Sequence, residues 1–188
     1  MDLHDAAGKL GGIMGVGGGP LAPMTATEIY QLEQELGCRF PETYRKFLET
    51  FGASRFNGES PDNPYVVFRS LTPMPSQFEG NLGMLDALYG GQTDDSDPYS
   101  IRVRARYFAD RIPGYLIPIG DAGGTGQICL GISGEHAGKV YYWDQLNESQ
   151  ADESDIEART QSRSIFANIN QIAESFADFL DRLEFMKE

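Results

Sequence analysis

An α+β domain is predicted by three features of the sequence. Two amphipathic helical stretches stand early in the chain, three short apolar segments at meander spacing follow in the middle, and a capped helical stretch closes it. The chain has 188 residues, 40% of them hydrophobic and 11% aromatic, so one core can bury most of the apolar surface without disulfide staples.

The first helix is marked by Thr25 and Glu28, whose spacing is that of a capping box, with Ile29, Leu32 and Leu36 following at helical intervals before Gly37. A second helix fits Pro41 to Phe51, where Tyr44, Phe47, Leu48 and Phe51 form one apolar stripe and Gly52 can end it. Asn57-Gly58 and Asp62-Asn63-Pro64 mark turns, and Tyr65 to Leu71 is β-branched and aromatic enough to read as a strand. Leu82, Leu85 and Leu88 give 76–89 a helical face, weakened by Gly80 and Gly83.

Residues 101–108 fit two patterns, because Ile101, Val103, Ala105 and Tyr107 alternate with three arginines as in a strand. Helix is preferred there: Asp97 can cap, Pro98 suits a first turn, and Ile101, Ala105, Phe108 and Ile112 share one helical face, leaving the arginines mostly solvated. Tyr115 to Ile119, Gln127 to Ile132 and Lys139 to Trp143 read as an antiparallel meander joined by glycine-rich turns. Residues 164–172 can add a strand, and Ser175 caps a final helix with Phe176, Phe179, Leu180 and Leu183 facing inward.

At the N-terminus, seven glycines between residues 8 and 19, followed by Pro20 and Pro23, suggest a flexible leader over 1–24, with a single domain over 25–188. A phosphate-cradling loop is the alternative, but Gly8-Lys9 is followed by Leu10 rather than Ser or Thr, and no strand precedes it.

The formal charge of −13 gives the surface a negative field. This disfavours nucleic acid and anionic membranes and attracts basic protein surfaces, or it serves solubility alone. The acidic residues crowd near 144–158, where Asp144, Glu148, Asp152, Glu153, Asp155 and Glu157 occur before the first basic residue, Arg159, and read as an exposed loop. Neither a secretory signal nor an apolar run of membrane-spanning length is recognisable, so a cytoplasmic protein is expected.

Chemistry-bearing patterns are sparse. Cys38 and Cys129 sit in apolar segments without a close cysteine or histidine and read as core thiols; His4 and His136 form no metal-binding spacing. The run Gly120-Asp121-Ala122-Gly123-Gly124-Thr125-Gly126 could bind an anion through backbone N–H groups, but it lacks dinucleotide spacing and leads into a strand, which favours a hairpin turn. Asp121 could serve as a general base or cation ligand, or simply shape the turn. Gly131-Ile132-Ser133-Gly134 also fails the nucleophile-elbow pattern. We expect no enzyme, no metal and no cofactor. Trp143, ending a tyrosine-rich strand, is either core or a partner-binding hot spot.

Four stretches resemble the SUKH superfamily, which includes the Smi/Knr-type regulators of fungal cell-wall assembly. These are Glu28-Ile29 through Leu36-Gly37; Phe40-Pro41-Glu42-Thr43-Tyr44 through Leu48; Leu116 through Asp121 with Gly123-Gly124; and Ser175-Phe176 through Leu180, with Gly138 to Trp143 before the last. Two departures are Phe40 where leucine is usual and Thr125-Gly126 in place of an asparagine. The resemblance implies a mixed, mainly antiparallel sheet with N-terminal helices and a C-terminal helix. It gives Phe40, Pro41, Tyr44, Gly120, Asp121, Gly123, Gly124, Ser175 and Phe176 structural roles.

It further implies a protein-binding module, in bacteria often an immunity protein that neutralises a polymorphic toxin, with a Smi/Knr-type regulatory scaffold in cell-wall assembly or signalling as the alternative; the negative charge makes a basic toxin domain the expected partner. The candidate contact residues are Trp143, Asp144, Glu148, Asp152, Glu153, Asp155 and Glu157. Neutralising Asp152, Glu153, Asp155 and Glu157 together should slow association with such a partner and flatten its salt dependence, read by stopped-flow kinetics. An unchanged rate would remove the acidic stretch from the encounter.

Overall fold

The computed structural model describes residues 2–74, 79–91, 96–146 and 168–186. Its first half runs α1 (Leu3–Lys9), β1 (Ile13–Gly15), α2 (Ala26–Leu36), α3 (Glu42–Thr50), β2 (Ser54–Phe56), β3 (Val66–Arg69), β4 (Leu82–Leu85) and β5 (Ala87–Leu88). There follow α4 (Ile101–Tyr107), β6 (Leu116–Asp121), β7 (Gly126–Gly131), β8 (Val140–Asp144), β9 (Ile169–Ala173), α5 (Phe176–Arg182) and β10 (Glu184–Phe185). Glu148, Asp152, Glu153, Asp155 and Glu157 lie outside the described residues, as do 164–167 of the expected last strand.

Local signals act as the sequence indicates. The Thr25 hydroxyl accepts the Glu28 N–H at 3.2 Å, and the Glu28 carboxylate accepts the Thr25 N–H at 2.7 Å, closing the capping box of α2. The bond from the Thr25 N–H, with a second from the Thr25 hydroxyl at 2.8 Å, holds the Glu28 carboxyl below its ordinary range. Gly37 ends the helix in the left-handed region at φ 63°. Between α2 and α3, the buried Glu33 carboxylate accepts the Phe40 N–H at 2.8 Å and pairs with Arg45 at 3.5 Å. Ser175 caps α5 by accepting the Asp178 N–H at 3.1 Å.

Seven strands form one antiparallel sheet in the order β1-β2-β5-β6-β7-β8-β9, and β10-β3-β4 form a small second one. Alternation along the central strands sends Ile117, Ile128, Leu130, Val140 and Tyr142 into the main core with α2, α3 and α5. It sends Leu116, Cys129, Tyr141 and Trp143 to the opposite face, under Phe108 and Ile112. A line of rings crosses the main core. Phe176 of α5 meets Tyr44 and Phe47 of α3 at 4.8 and 5.3 Å, and Phe179 lies 6.3 Å from Phe68 of β3, which is 5.7 Å from Tyr142 of β8.

Three expectations are corrected. The stretch expected as a flexible leader carries α1 and β1, with Ala6, Ala7 and Leu10 buried in the main core and β1 paired to β2. Its glycines serve close packing: a Cβ on Gly11 would lie 1.8 Å from the Gly58 carbonyl oxygen. The expected helix over 76–89 gives way, within its described part, to a 3-10 turn, β4 and β5. Pairing of β4 with β3 decides it, because Gly83 lies across from Phe68 where a Cβ would come within 2.3 Å of the ring.

Residues 101–107 are helical as preferred, but Ser100 rather than Asp97 is the N-cap residue, while the Asp97 carboxylate accepts the Tyr99 N–H at 2.7 Å. Its arginines are engaged rather than merely solvated: Arg102 binds both Glu35 carboxylate oxygens, and Arg104 donates to the Pro98 carbonyl and lies over the Tyr89 ring.

Truncating Phe176 to alanine removes the ring that α3 packs on and should cost about 3–5 kcal/mol, seen as a lower urea midpoint with an unchanged m-value. A loss under 1 kcal/mol would mean the ring line is not a principal tie.

Candidate functional site

The turn between β6 and β7 holds the glycine-rich motif. The Asp121 carboxylate accepts the Gly124 N–H at 2.8 Å, and Gly123 and Gly124 take φ of 64° and 76°, as a hairpin of this kind requires. Asp121 therefore shapes the turn. Phe40, Tyr44 and Phe176 are core residues, and Pro41 occupies the N-cap position of α3.

Of the expected contact residues, Trp143 and Asp144 are inside the molecule. Trp143 is 1% exposed, edge-on to Phe108 at 5.4 Å and beneath the Arg111 guanidinium. The Asp144 side chain accepts the Leu146 N–H at 2.9 Å. Neither presents a side chain to a partner: Trp143 lies on the face covered by Phe108 and Ile112, and Asp144, next along the strand, is buried on the other face.

The concave surface lies elsewhere, along residues 55–65 at the β1 end of the large sheet. A hollow of about 290 Å³ opens between Arg55, Tyr65, Met84, Asp86 and the Asp121 turn. Arg55 and Pro64 are also walls of a second hollow of about 520 Å³ that reaches Met14 and Glu59. Glu59 and Ser60 are walls of a third, about 660 Å³, between Lys9 and β10. Each hollow shares wall residues with its neighbour, and the groove is this row of three.

Strand register explains its lining. Met14 and Arg55 are cross-strand partners of β1 and β2 on the face away from the core, and Met84 alternates outward on β4 between buried Gly83 and Leu85. Exposed Met14, Tyr65, Met84 and Met186 supply apolar contact area. The carboxylates of Asp86, Asp121, Glu59, Asp62 and Glu184 outnumber Arg55 and Lys9 along it. Methionine, tyrosine and arginine are residue types favoured where proteins meet.

Sequence reasoning missed this groove, since its parts come from both ends of the chain and two sheets. The Asn57-Gly58 and Asp62-Asn63-Pro64 turns were its visible trace.

Among the described residues, no group of three or more His, Cys, Asp and Glu is arranged to hold a metal ion. No helix among them is long and apolar enough to cross a membrane. His136 stacks on Tyr115 at 4.1 Å and shares a 2.8 Å hydrogen bond with the Tyr141 hydroxyl, a packing role. Burial, with Glu33 adding to it, pushes the half-buried Cys38 thiol up to about 11, and burial raises fully buried Cys129 further.

An antiparallel sheet with helices packed on one face and the segment after α4 on the other, and with a groove at one end, defines an α+β domain whose concave feature is a surface. Residues 23–182 match the SMI1 / KNR4 family (SUKH-1), and the chain belongs to that family. Over 124 residues it is 26% identical to the SPbeta prophage-derived uncharacterized protein YokK of Bacillus subtilis (strain 168), a match covering 64% of this chain and 62% of that protein. The chain thus spans just under two thirds of that relative's length.

Iodoacetamide at pH 8 should modify Cys38 far more slowly than a free thiol and leave Cys129 untouched until urea unfolds the chain. Rapid native labelling of Cys38 would contradict the packing around it.

Proposed function

We propose that this chain is a non-catalytic protein-binding module, an immunity protein that acts in the cytoplasm by stoichiometric binding to a basic toxin domain. The observation that carries the reading is the groove, where four exposed apolar side chains lie beside a surplus of carboxylates on a protein of charge −13. Apolar anchors supply affinity, and the negative field steers a positive surface toward them. Family membership supports the reading, as does the prophage origin stated in the relative's name.

Binding at such a surface needs no metal or organic cofactor. An inhibitor of this kind works by mass action: it occupies the toxin's cleft or substrate channel, and its effect scales with the concentration of complex.

The test is affinity purification of the tagged chain from its native cells at physiological and raised salt, followed by expression of the co-eluting protein alone and together with this chain. The reading predicts one basic partner near one-to-one, toxic when expressed alone and harmless when co-expressed. Asp86→Lys combined with Met84→Ala should reduce that protection by weakening the complex about tenfold or more. Several sub-stoichiometric envelope or signalling proteins, with no toxicity to suppress, would overturn it in favour of a cell-wall-assembly scaffold.

A further inference from the structure

The largest hollow of the groove is built mainly from residues outside the family match. Lys9, Leu10, Glu184, Phe185 and Met186 all lie beyond residues 23–182, and facing them are Glu59, Asp62 and Asn63 from within it. Met14, a wall of the neighbouring hollow, also precedes the matched region. Residues 10–11 and 186 are tied down at this place. Gly58 N–H donates to the Leu10 carbonyl, the Asn57 amide to that of Gly11, and the Asn63 amide to that of Met186 at 2.9 Å.

The chemistry of the hollow is two-sided. Phe185 is partly exposed and Met186 is 48% exposed, giving an apolar floor. Glu59 and Asp62 are exposed at the rim, and Glu184 on the other wall pairs with Arg69 at 3.5 Å. Lys9 is the one cation among the described lining residues, and its ammonium donates to the Asp181 carbonyl at 2.7 Å, at the end of α5. A volume of about 660 Å³ is in the range that accommodates a small organic group. A lysine or arginine side chain has the matching form, an apolar stem with a charged end.

We infer that this hollow is the specificity pocket of the binding surface and takes a lysine or arginine side chain projecting from the partner protein. The stem lies on Phe185 and Met186 and the cation beside Glu59 and Asp62. This rests on reading the chain as a protein-binding module and adds to it which partner group is selected and which segments select it. Because the two chain ends supply the floor and one wall, family members can share a core yet differ in this pocket, which suits discrimination among related partners.

The test uses the full chain, labelled with 15N, and a hexalysine peptide as probe. Amide shifts should concentrate at residues 9–14, 59–63 and 184–186. They should vanish when the probe's side-chain amines are acetylated, and the double variant Glu59→Lys/Asp62→Lys should weaken binding about tenfold. Met186→Ser, at an exposed position, should weaken binding without changing the salt slope, which a purely ionic contact would not do.

Shifts spread over acidic residues elsewhere, or binding unaffected by Glu59→Lys/Asp62→Lys, would overturn the inference. Since the probe contains no toxin, the two proposals fail separately. A localised, variant-sensitive titration with no toxicity rescue removes the immunity reading and leaves the pocket, whereas rescue with a diffuse titration removes the pocket alone.

Discussion

Everything at the groove depends on one line of aromatic contacts through the core. Phe176 is wedged against Tyr44 and Phe47, and Phe179 carries the contact on to Phe68 and from there to Tyr142. These rings belong to α3, α5, the small sheet and the large sheet. Together with the backbone bonds from Asp86 N–H to the Asp121 carbonyl and from Leu71 N–H to the Gln171 carbonyl, they hold the small sheet at a set distance from the large one. The groove is the gap that this distance leaves at one end, with Tyr65 and Met84 on the small-sheet side and Met14 and Arg55 on the other. The two contacts between α3 and α5 are edge-to-face and those of Phe68 with Phe179 and Tyr142 are tilted, so the line carries direction as well as buried area.

On that scaffold the two ends of the chain converge. α1 and β1 lengthen the large sheet beyond β2, and β10 adds a strand to the small one, so both borders of the groove are extended by segments flanking the family-matched region. A core that must stay closely packed changes slowly under substitution, whereas surface segments held by a few backbone hydrogen bonds are free to vary. That division suits a protein whose partner is particular and whose fold is common.

The parts of the fold legible in the sequence were those decided locally. Thr25 and Glu28 announce their capping box three residues apart, and Tyr44, Phe47 and Leu48 show the buried stripe of α3. The meander also follows from its own alternation and turns. The stretch 76–89 misled because leucines three apart suit a helix, while the deciding contact, Gly83 against Phe68, joins residues far apart in sequence. The glycines near the N-terminus misled in the same way: composition suggested flexibility, but Gly11 and Gly15 are there for backbone approach to Gly58 and Pro20. Trp143 could be seen as core or contact, and only the placement of Phe108 and Ile112 over its strand decides for core. The groove was not legible, for it exists only where five distant segments meet.

The central claim is that this chain meets a protein partner with the groove. Hydrogen–deuterium exchange of the free chain and of its one-to-one complex tests it most directly, because protection maps the covered backbone. The account predicts slowed exchange at residues 10–14, 57–65, 84–86 and 184–186. Protection centred instead on the exposed faces around Tyr30 of α2 or Tyr107 of α4, with the groove unchanged, would contradict it.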